Sequence, residues 1–318
     1  MNLLGGLGIK GLMKPQNKAL WKRFFGDKLV VLGAVIVVGF LLIALLGPYI
    51  APYDYADQFR PQGSGLLPLD VMSTTRTGEF LVLGSDGLGR DMLSRLIYGT
   101  RTTIVIAISS VIVASFLAIL IGSIAGYLEG SLFDELVMRL IDALLTFPGI
   151  LLALILVAAW GSRGIEIGSI TVPSEMTIAI ALAFTLTPRL TRTMRGSTIP
   201  QAHRAYIRAA QMMGMPTWRI MAFELIPNCL TAVVIQAATY LGLAVFTTAG
   251  LGFLGLGPPE PQPELGKILA RTQEYFLTKL FWHIFIPGFT VSMLVFGFSV
   301  LGDGIRNILD PEYRFEET

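Results

Sequence analysis

The chain has 318 residues, of which 53% are hydrophobic and only 14% charged, with a mean hydropathy of +0.66. Soluble domains carry about a quarter of their residues as charges, and several uncharged runs here exceed the roughly 18 residues that mark a transmembrane helix. An ordinary soluble protein is excluded, and a polytopic, all-α membrane protein is predicted. The net charge of +2 matters less than where the charges fall.

The first 28 residues carry Lys10, Lys14, Lys18, Lys22, Arg23 and Lys28, with Asp27 their one acid. The uncharged run Leu29–Ile50 follows. It is longer than the apolar core of a signal peptide, about 7–15 residues, and ends in Gly-Pro-Tyr-Ile-Ala-Pro instead of a small-residue cleavage site. It reads as a retained first span, and the positive-inside rule places the basic N-terminus in the cytoplasm.

Residues 51–101 are polar, turn-rich and lean acidic, so they are expected outside the membrane. Met92, Leu93, Leu96 and Ile97 share one helical face, which reads as an interfacial helix leading into the next span. Thr102–Leu128 is the second span, with Gly122 and Gly126 at a spacing that lets helices approach closely. Glu129–Arg139 is read as a short polar connection, and Leu140–Trp160 as a third span with Pro148 inside it. The segment Gly161–Glu175 returns outside. Only Met176–Pro188 is uncharged in the fourth span, about 20 Å of helix against a hydrocarbon core near 30 Å. That span must recruit residues before Glu175 or let Arg189 and Arg192 snorkel to the headgroups.

The arginines at 189, 192, 195, 204, 208 and 219 mark the next segment as cytoplasmic. A fifth span is expected over Leu230–Gly250, then a Gly/Pro-rich outer loop to about Lys279. The sixth is Leu280–Gly302, and a polar tail follows to Thr318. Six spans return the C-terminus to the cytoplasm, in agreement with the charge asymmetry. The division is an N-terminal segment (1–28), a first span (29–50), an outer loop (51–101), a five-helix core (102–303) containing a cytoplasmic loop at 196–228, and a tail (304–318).

Sites for chemistry within the chain are scarce. Gly266-Lys267 resembles the end of a phosphate-binding loop, but Pro261 stands where its first glycine is needed and Ile268 where Ser or Thr must meet magnesium. Gly250, Gly252 and Gly255 match the dinucleotide fingerprint in letters only, since they follow a span and run into Pro258-Pro259. The two histidines, His203 and His283, lie eighty residues apart and give no zinc-ligand cluster, and the single cysteine leaves no internal disulfide. Asp142 and Asp303, the candidates for an intramembrane aspartyl pair, fall at span ends. No span holds a charge at its centre on these boundaries, so no proton relay is indicated. Energy for active transport would have to enter from another subunit, and the punctuated stretch Tyr206–Asn228, broken by Gly214, Pro216 and Pro227, is where it would be delivered.

The run Arg208-Ala209-Ala210-x-x-x-Gly214 followed by Ile226-Pro227-Asn228 resembles the coupling loop of ABC-importer permeases. Three further passages resemble the dipeptide/oligopeptide/nickel permease family, in its C-type subunit: Leu83-Gly-Ser-Asp-Gly-Leu-Gly-Arg-Asp-Met-Leu-Ser-Arg-Leu-Ile-Tyr-Gly99, Gly252-Phe-Leu-Gly-Leu-Gly-x-x-x-x-x-Pro263-Glu-x-Gly266, and Leu301-Gly-Asp-Gly-Ile-Arg-x-x-x-Asp310-Pro311. The resemblance implies a type I ABC-importer permease fold with six transmembrane helices in the inner membrane. It implies a heterodimer with a sibling permease, two cytoplasmic ATP-binding subunits that bind ATP and Mg, and an extracytoplasmic substrate-binding protein. The chain itself would hold no cofactor and no metal, carry no catalytic residue and bind no nucleic acid. Arg208, Ala209, Ala210, Gly214, Ile226 and Pro227 are then ATPase-coupling residues, although Arg208 also fits a simple positive-inside charge. Phe253 and Leu254 are candidates for an outer-loop gate. Ser85, Arg208 and Leu265 stand where Thr, Glu and Trp are common in such permeases. Peptides are the implied substrate, with nickel or short oligosaccharides as the alternative; a stand-alone channel or intramembrane enzyme would be a different class.

Overall fold

The structure is a computed structural model, and it describes residues 25–59, 69–75, 78–160, 164–167, 170–273 and 281–309. The basic residues before 25 and the tail from 310 lie outside the described residues, as does 274–280 of the expected outer loop. Nine helices carry the labels used below: α1 (Lys28–Ile50), α2 (Met92–Tyr127), α3 (Leu132–Leu145), α4 (Gly149–Trp160), α5 (Ser174–Ala202), α6 (Ala205–Met212), α7 (Ile226–Leu251), α8 (Leu265–Thr272) and α9 (Trp282–Leu309). Two short antiparallel ribbons interrupt them. One pairs Ser73–Thr74 with Phe80–Leu81, and the other pairs Ile165–Ile167 with Ile170–Val172.

Among the described residues, four helical stretches are long and apolar enough to cross a membrane, and the pair α3 and α4 makes a fifth if taken as one bent span. The bend is 95° and falls at Pro148, whose ring disfavours helical backbone in the residue before it. The expected third span, Leu140–Trp160, is therefore divided at Pro148, and Leu132–Leu145, most of it read as a short polar connection, is a separate helix at 95° to α4. Ser131 caps it, its hydroxyl accepting from Asp134 N at 3.2 Å.

The interfacial helix expected over residues 92–101 is also corrected. It is the first part of a single 36-residue helix, α2, about 54 Å long. Asp91 caps it by accepting from Ser94 N at 2.8 Å. Met92 and Leu96 are buried within the protein. Continuity is favoured because Arg95, the charge at the middle of this stretch, has partners, as described below.

The helix at the expected fourth span is longer than its uncharged centre suggests, and it is not among the described stretches apolar enough to cross a membrane. Helix α5 covers 29 residues and carries Arg189, Arg192 and Arg195 inside it, not beyond its end. Arg189 stands near the middle of this helix, not at its far end. Arg195 makes a two-toothed pair with Asp134, Nε to Oδ1 at 2.6 Å and Nη2 to Oδ2 at 2.7 Å. Arg192 bonds Asp142. Helix α3 thus supplies the carboxylates that let α5 carry these arginines, which a window of apolarity cannot see.

Helices α2 and α5 run parallel and form the central contact of the bundle. A Cβ on Gly122 would meet Met194 Cβ and Thr191 O at 2.8 Å, and one on Gly126 would meet Thr198 Cβ at 2.7 Å. The Gly122/Gly126 spacing therefore does what it implied, bringing two backbones together where a side chain would separate them. Ala118, Ala125, Leu190 and Met194 fill the seam. Smaller crossings repeat the device: Gly242 meets Ser299, and Gly302 meets the Ala238 carbonyl, where α7 crosses α9.

This packing makes a definite prediction. Gly126→Ala overpacks the seam and lowers unfolding stability by about 1–3 kcal/mol. Gly39→Ala on α1, where an added Cβ has nothing within 4 Å, changes it little. Denaturant or thermal unfolding of the two variants in detergent measures the contrast; equal losses would show that the seam is not close-packed.

Candidate functional site

Two clusters stand at opposite ends of the α2–α5 pair. At one end α5 turns into α6, with His203 at the junction and its Nδ1 2.9 Å from Ile199 O. Ile207 and Ala210 of α6 are buried, Ala209 is half-buried and Arg208 is exposed with no ion pair among the described residues. Gln211 Nε2 donates to Tyr127 Oη at 3.0 Å, tying α6 to the last residue of α2. Gly214 has φ +75°, a left-handed turn that a side chain would strain. Met215 N then donates back to Ala210 O at 3.1 Å, closing the reversal. Pro216 caps the turn Thr217–Arg219.

From Thr217 the chain runs helically through Pro227 and on to a kink at Gly255, so Pro227 does not end a helical piece as expected. Proline lacks the N–H that an α-helix would send to the residue four back. The helix accommodates this with a wide π turn over Ile220–Leu225, in which Ile226 N reaches Met221 O, five residues back. Ile226 is half-buried, and Pro227 is exposed beside Asn228, whose amide donates to Glu224 O at 2.6 Å.

The expected coupling residues thus come together on one hairpin, but they do not share one face. Ala210 and Ile207 point into the chain's own core, so the small side chain at 210 serves intrachain packing. The exposed surface is apolar: Met212 is 83% exposed, Met213 75%, and Trp218 and Phe223 66% each, the last two rings meeting edge-on at 6.5 Å. These four residues were missed from sequence. Their signal was present in a Met-Met pair and a tryptophan set among arginines in a loop between spans.

The other end holds a buried cluster of charges. Arg90 Nε and Nη2 both reach Asp86 Oδ2 at 2.7 Å, and its Nη1 reaches Glu260 Oε2 at 2.6 Å. Arg95 Nε lies 3.4 Å from Asp86 Oδ2, and its Nη1 donates to Tyr55 O at 3.1 Å and Pro261 O at 3.2 Å. Arg271 Nη2 meets Glu260 Oε1 at 3.1 Å. Both Arg90 and Arg95 are 2% exposed or less. Burial works against the charge of Arg90, but Asp86 and Glu260 outweigh it and hold its pKa above the ordinary guanidinium value. Burial likewise disfavours the Glu260 carboxylate, and Arg90 overrides it to leave the pKa lowered.

Below this cluster Glu264 is fully buried and caps α8. Its Oε1 accepts from Gly266 N at 2.9 Å and from Thr103 Oγ1 at 3.0 Å, and its Oε2 from Lys267 N at 2.9 Å. Burial nevertheless pushes its carboxyl up to about 7. Gly266 lies so close to α7 that a Cβ would fall 1.8 Å from Ala249 O. Two of the passages singled out in the sequence, 83–99 and 252–266, are therefore neighbours in space; nothing in the sequence paired them. Phe253 and Leu254 lie in a second π turn, Gly252–Leu256, 42% and 54% exposed, with Gly255 at φ +85°. His283 is buried, not exposed at an interface, with Nε2 3.0 Å from Leu69 O. Trp282 beside it is half exposed and packs on Phe281 and Phe285.

Two outcomes test these charges. Asp86→Ala leaves Arg90 and Arg95 buried with one carboxylate between them, and a loss of about 3–5 kcal/mol is expected in unfolding experiments. Glu264 adds a pH dependence. Its folded pKa exceeds the ordinary carboxylate value, so between that value and about 7 the folded state holds a proton that the unfolded chain has released. Stability should fall as pH rises through that window and level off above it. Glu264→Gln should remove this component of the slope in thermal unfolding at stepped pH; identical slopes in both proteins would refute it.

Residues 118–315 match the family model described as binding-protein-dependent transport system inner membrane component. Residues 16–68 match the N-terminal TM domain of oligopeptide transport permease C. Over 294 residues the chain is 39% identical to the dipeptide transport system permease protein DppC of Escherichia coli K12, covering 92% of each. It is 34% identical over 297 residues to the di/tripeptide transport system permease protein DppC of Pseudomonas aeruginosa, covering 93% of this chain and 92% of that one. Similarity extends to the glutathione transport system permease protein GsiD of Pectobacterium atrosepticum, 32% identical over 297 residues and covering 93% of this chain and 91% of that one. With an apolar helical bundle bearing the family's motifs along most of its length, this chain belongs to the binding-protein-dependent transport system inner membrane components, as an integral membrane permease.

Proposed function

We propose that the chain forms half of the translocation pathway of an ATP-driven importer of short peptides. In this reading it spans the inner membrane six times, α5 included, with both termini in the cytoplasm. The ends of α2 and α5 that bear the buried charges face outside, and the α6 hairpin faces the cytoplasm. A sibling permease supplies the other half of the pathway. Two ATPase subunits bind ATP and Mg and seat on the α6 hairpin, while an external binding protein delivers the peptide. The chain is a non-catalytic subunit that binds no nucleotide itself.

The observation that carries this reading is the exposed apolar patch of Met212, Met213, Trp218 and Phe223 on a hairpin otherwise rich in arginine. Solvent exposure of such residues side by side is unfavourable unless a partner covers them, and aromatic anchors of this kind dominate binding energy at interfaces. Arg208, with no ion pair of its own among the described residues, stands beside the patch to meet a carboxylate of the ATPase. The buried Ala210 and the left-handed turn at the exposed Gly214 hold the hairpin's shape. Phe253 and Leu254, exposed at the other end, are assigned to the gate over the outer mouth. The peptide assignment rests on the named relatives, all peptide or glutathione permeases.

Co-purification tests the docking. Trp218→Asp should cut recovery of ATPase subunits with the permease pair by at least ten-fold and abolish uptake, and Gly214→Val should do the same by straining the turn. Arg208→Ala should weaken recovery by a smaller factor that shrinks further at high salt. Full ATPase recovery with Trp218→Asp would overturn the proposal.

A further inference from the structure

Beside the buried charge cluster lies a cleft of about 340 Å³ between the beginnings of α2 and α5 and the 256–264 loop. Its walls include Tyr55, Tyr98, Arg101, Glu175, Gln262 and Pro263. Arg90 and Arg95, on the same stretch as Arg101, are buried in ion pairs; Arg101 is exposed and has none among the described residues. Glu175 on the facing helix has only neutral donors among the described residues, the Gln262 amide and, at 3.2 Å, the Ser174 hydroxyl. A cation and an anion therefore line one cleft without neutralising each other. The paired rings of Tyr55 and Tyr98, edge-on at 5.0 Å, form an apolar wall above them.

We infer that this cleft is a binding site within the permease for a short peptide with both ends free, on the outer side of the pathway. Glu175 takes the terminal ammonium, Arg101 the terminal carboxylate, and the tyrosine pair a side chain. The inference deepens the transport reading and rests on it.

Three features favour this ligand class. The volume lies at the lower end of the roughly 300–1,000 Å³ of small-molecule pockets, which suits two or three residues and excludes long oligomers. An extended dipeptide places its terminal charges roughly 7 Å apart, so one ligand can meet two wall charges that do not meet each other. Guanidinium also binds carboxylate through two parallel hydrogen bonds, a geometry that favours a free C-terminus over a simple anion. The walls are well held for this purpose. Arg95 bonds the carbonyls of Tyr55 and Pro261, so the buried cluster positions the loops on both sides of the cleft.

The test is equilibrium binding of a free dipeptide, alanyl-phenylalanine, to the complete transporter in nanodiscs without the binding protein. The N-acetylated and C-amidated forms are measured in parallel. Wild type should bind the free dipeptide at least ten-fold more tightly than either blocked form. Glu175→Gln should lose ten-fold or more for the free peptide but little for the acetylated one, and Arg101→Gln should show the reciprocal pattern with the amide. Binding that ignores both substitutions, or no binding by a wild-type complex that still takes up the dipeptide when given ATP and binding protein, would overturn the site and leave the transport reading standing. Failure of the wild-type complex to take up any peptide would overturn the transport reading and the site with it.

Discussion

The seam between α2 and α5 is the contact on which the other features depend. Two long helices running in the same direction usually stand 8–10 Å apart, held by the bulk of their side chains. Here Gly122 and Gly126 remove that bulk at the places where Thr191, Met194 and Thr198 approach. The result is a stiff double rod with one functional end at each tip. At the beginnings of the two helices lie the charge cluster and the cleft; at their ends, Tyr127 and Ala202 hand over to the α6 hairpin. In the proposed transport role, a displacement applied at the hairpin would reach the opposite tip through the rod, because close-packed backbones have few alternative arrangements.

The two tips are built by different physics. At the charged tip, Asp86, Arg90 and Arg95 are buried beside the more exposed Glu260, and the cost of removing the three from water is offset by their charged partners at short range. Such a cluster tolerates little rearrangement and holds the loops at 55 and 261 in register. At the other tip the hairpin is held internally by Ile207, Ala210 and the Gly214 turn, while Met212, Met213, Trp218 and Phe223 remain uncovered. One tip pairs its charges within this chain, and the other leaves large apolar side chains exposed. On the proposed function, that asymmetry suits an element receiving motion from another subunit.

Much of this was legible in the sequence. The apolar runs gave α1, α2, α7 and α9, and the Gly122/Gly126 spacing foretold the close seam. Gly214 was read as a turn and has positive φ. What escaped followed from tertiary pairing. The arginines of α5 looked like the end of a short span because their carboxylate partners, Asp134 and Asp142, come from a helix some fifty to sixty residues earlier. The stretch 92–101 looked interfacial because Met92, Leu93, Leu96 and Ile97 share one helical face, while the partners that let Arg95 be buried, the carbonyls of Tyr55 and Pro261 and the Asp86 carboxylate, lie outside that stretch in the sequence. Pro227 and Pro148 look alike in a sequence, yet one sits in a widened turn that the helix absorbs and the other marks a 95° bend.

The long helix from Thr217 to Leu256 joins both tips a second time, and its irregularities fall at its two ends. Its first wide turn, Ile220–Leu225, carries the exposed Phe223, and its last, Gly252–Leu256, carries the exposed Phe253 and Leu254. Wide turns interrupt the regular hydrogen-bond ladder and recur at functional positions in helices. Between them the helix is regular and crosses α9 at Gly242 and Gly302, so the irregular turns are confined to its two ends. The double rod α2–α5 sets the distance between the tips, and α7 sets which side chains each tip presents. Uniform flexibility would dissipate a push from the hairpin before it reached the cleft. Stiff shafts with soft ends transmit it.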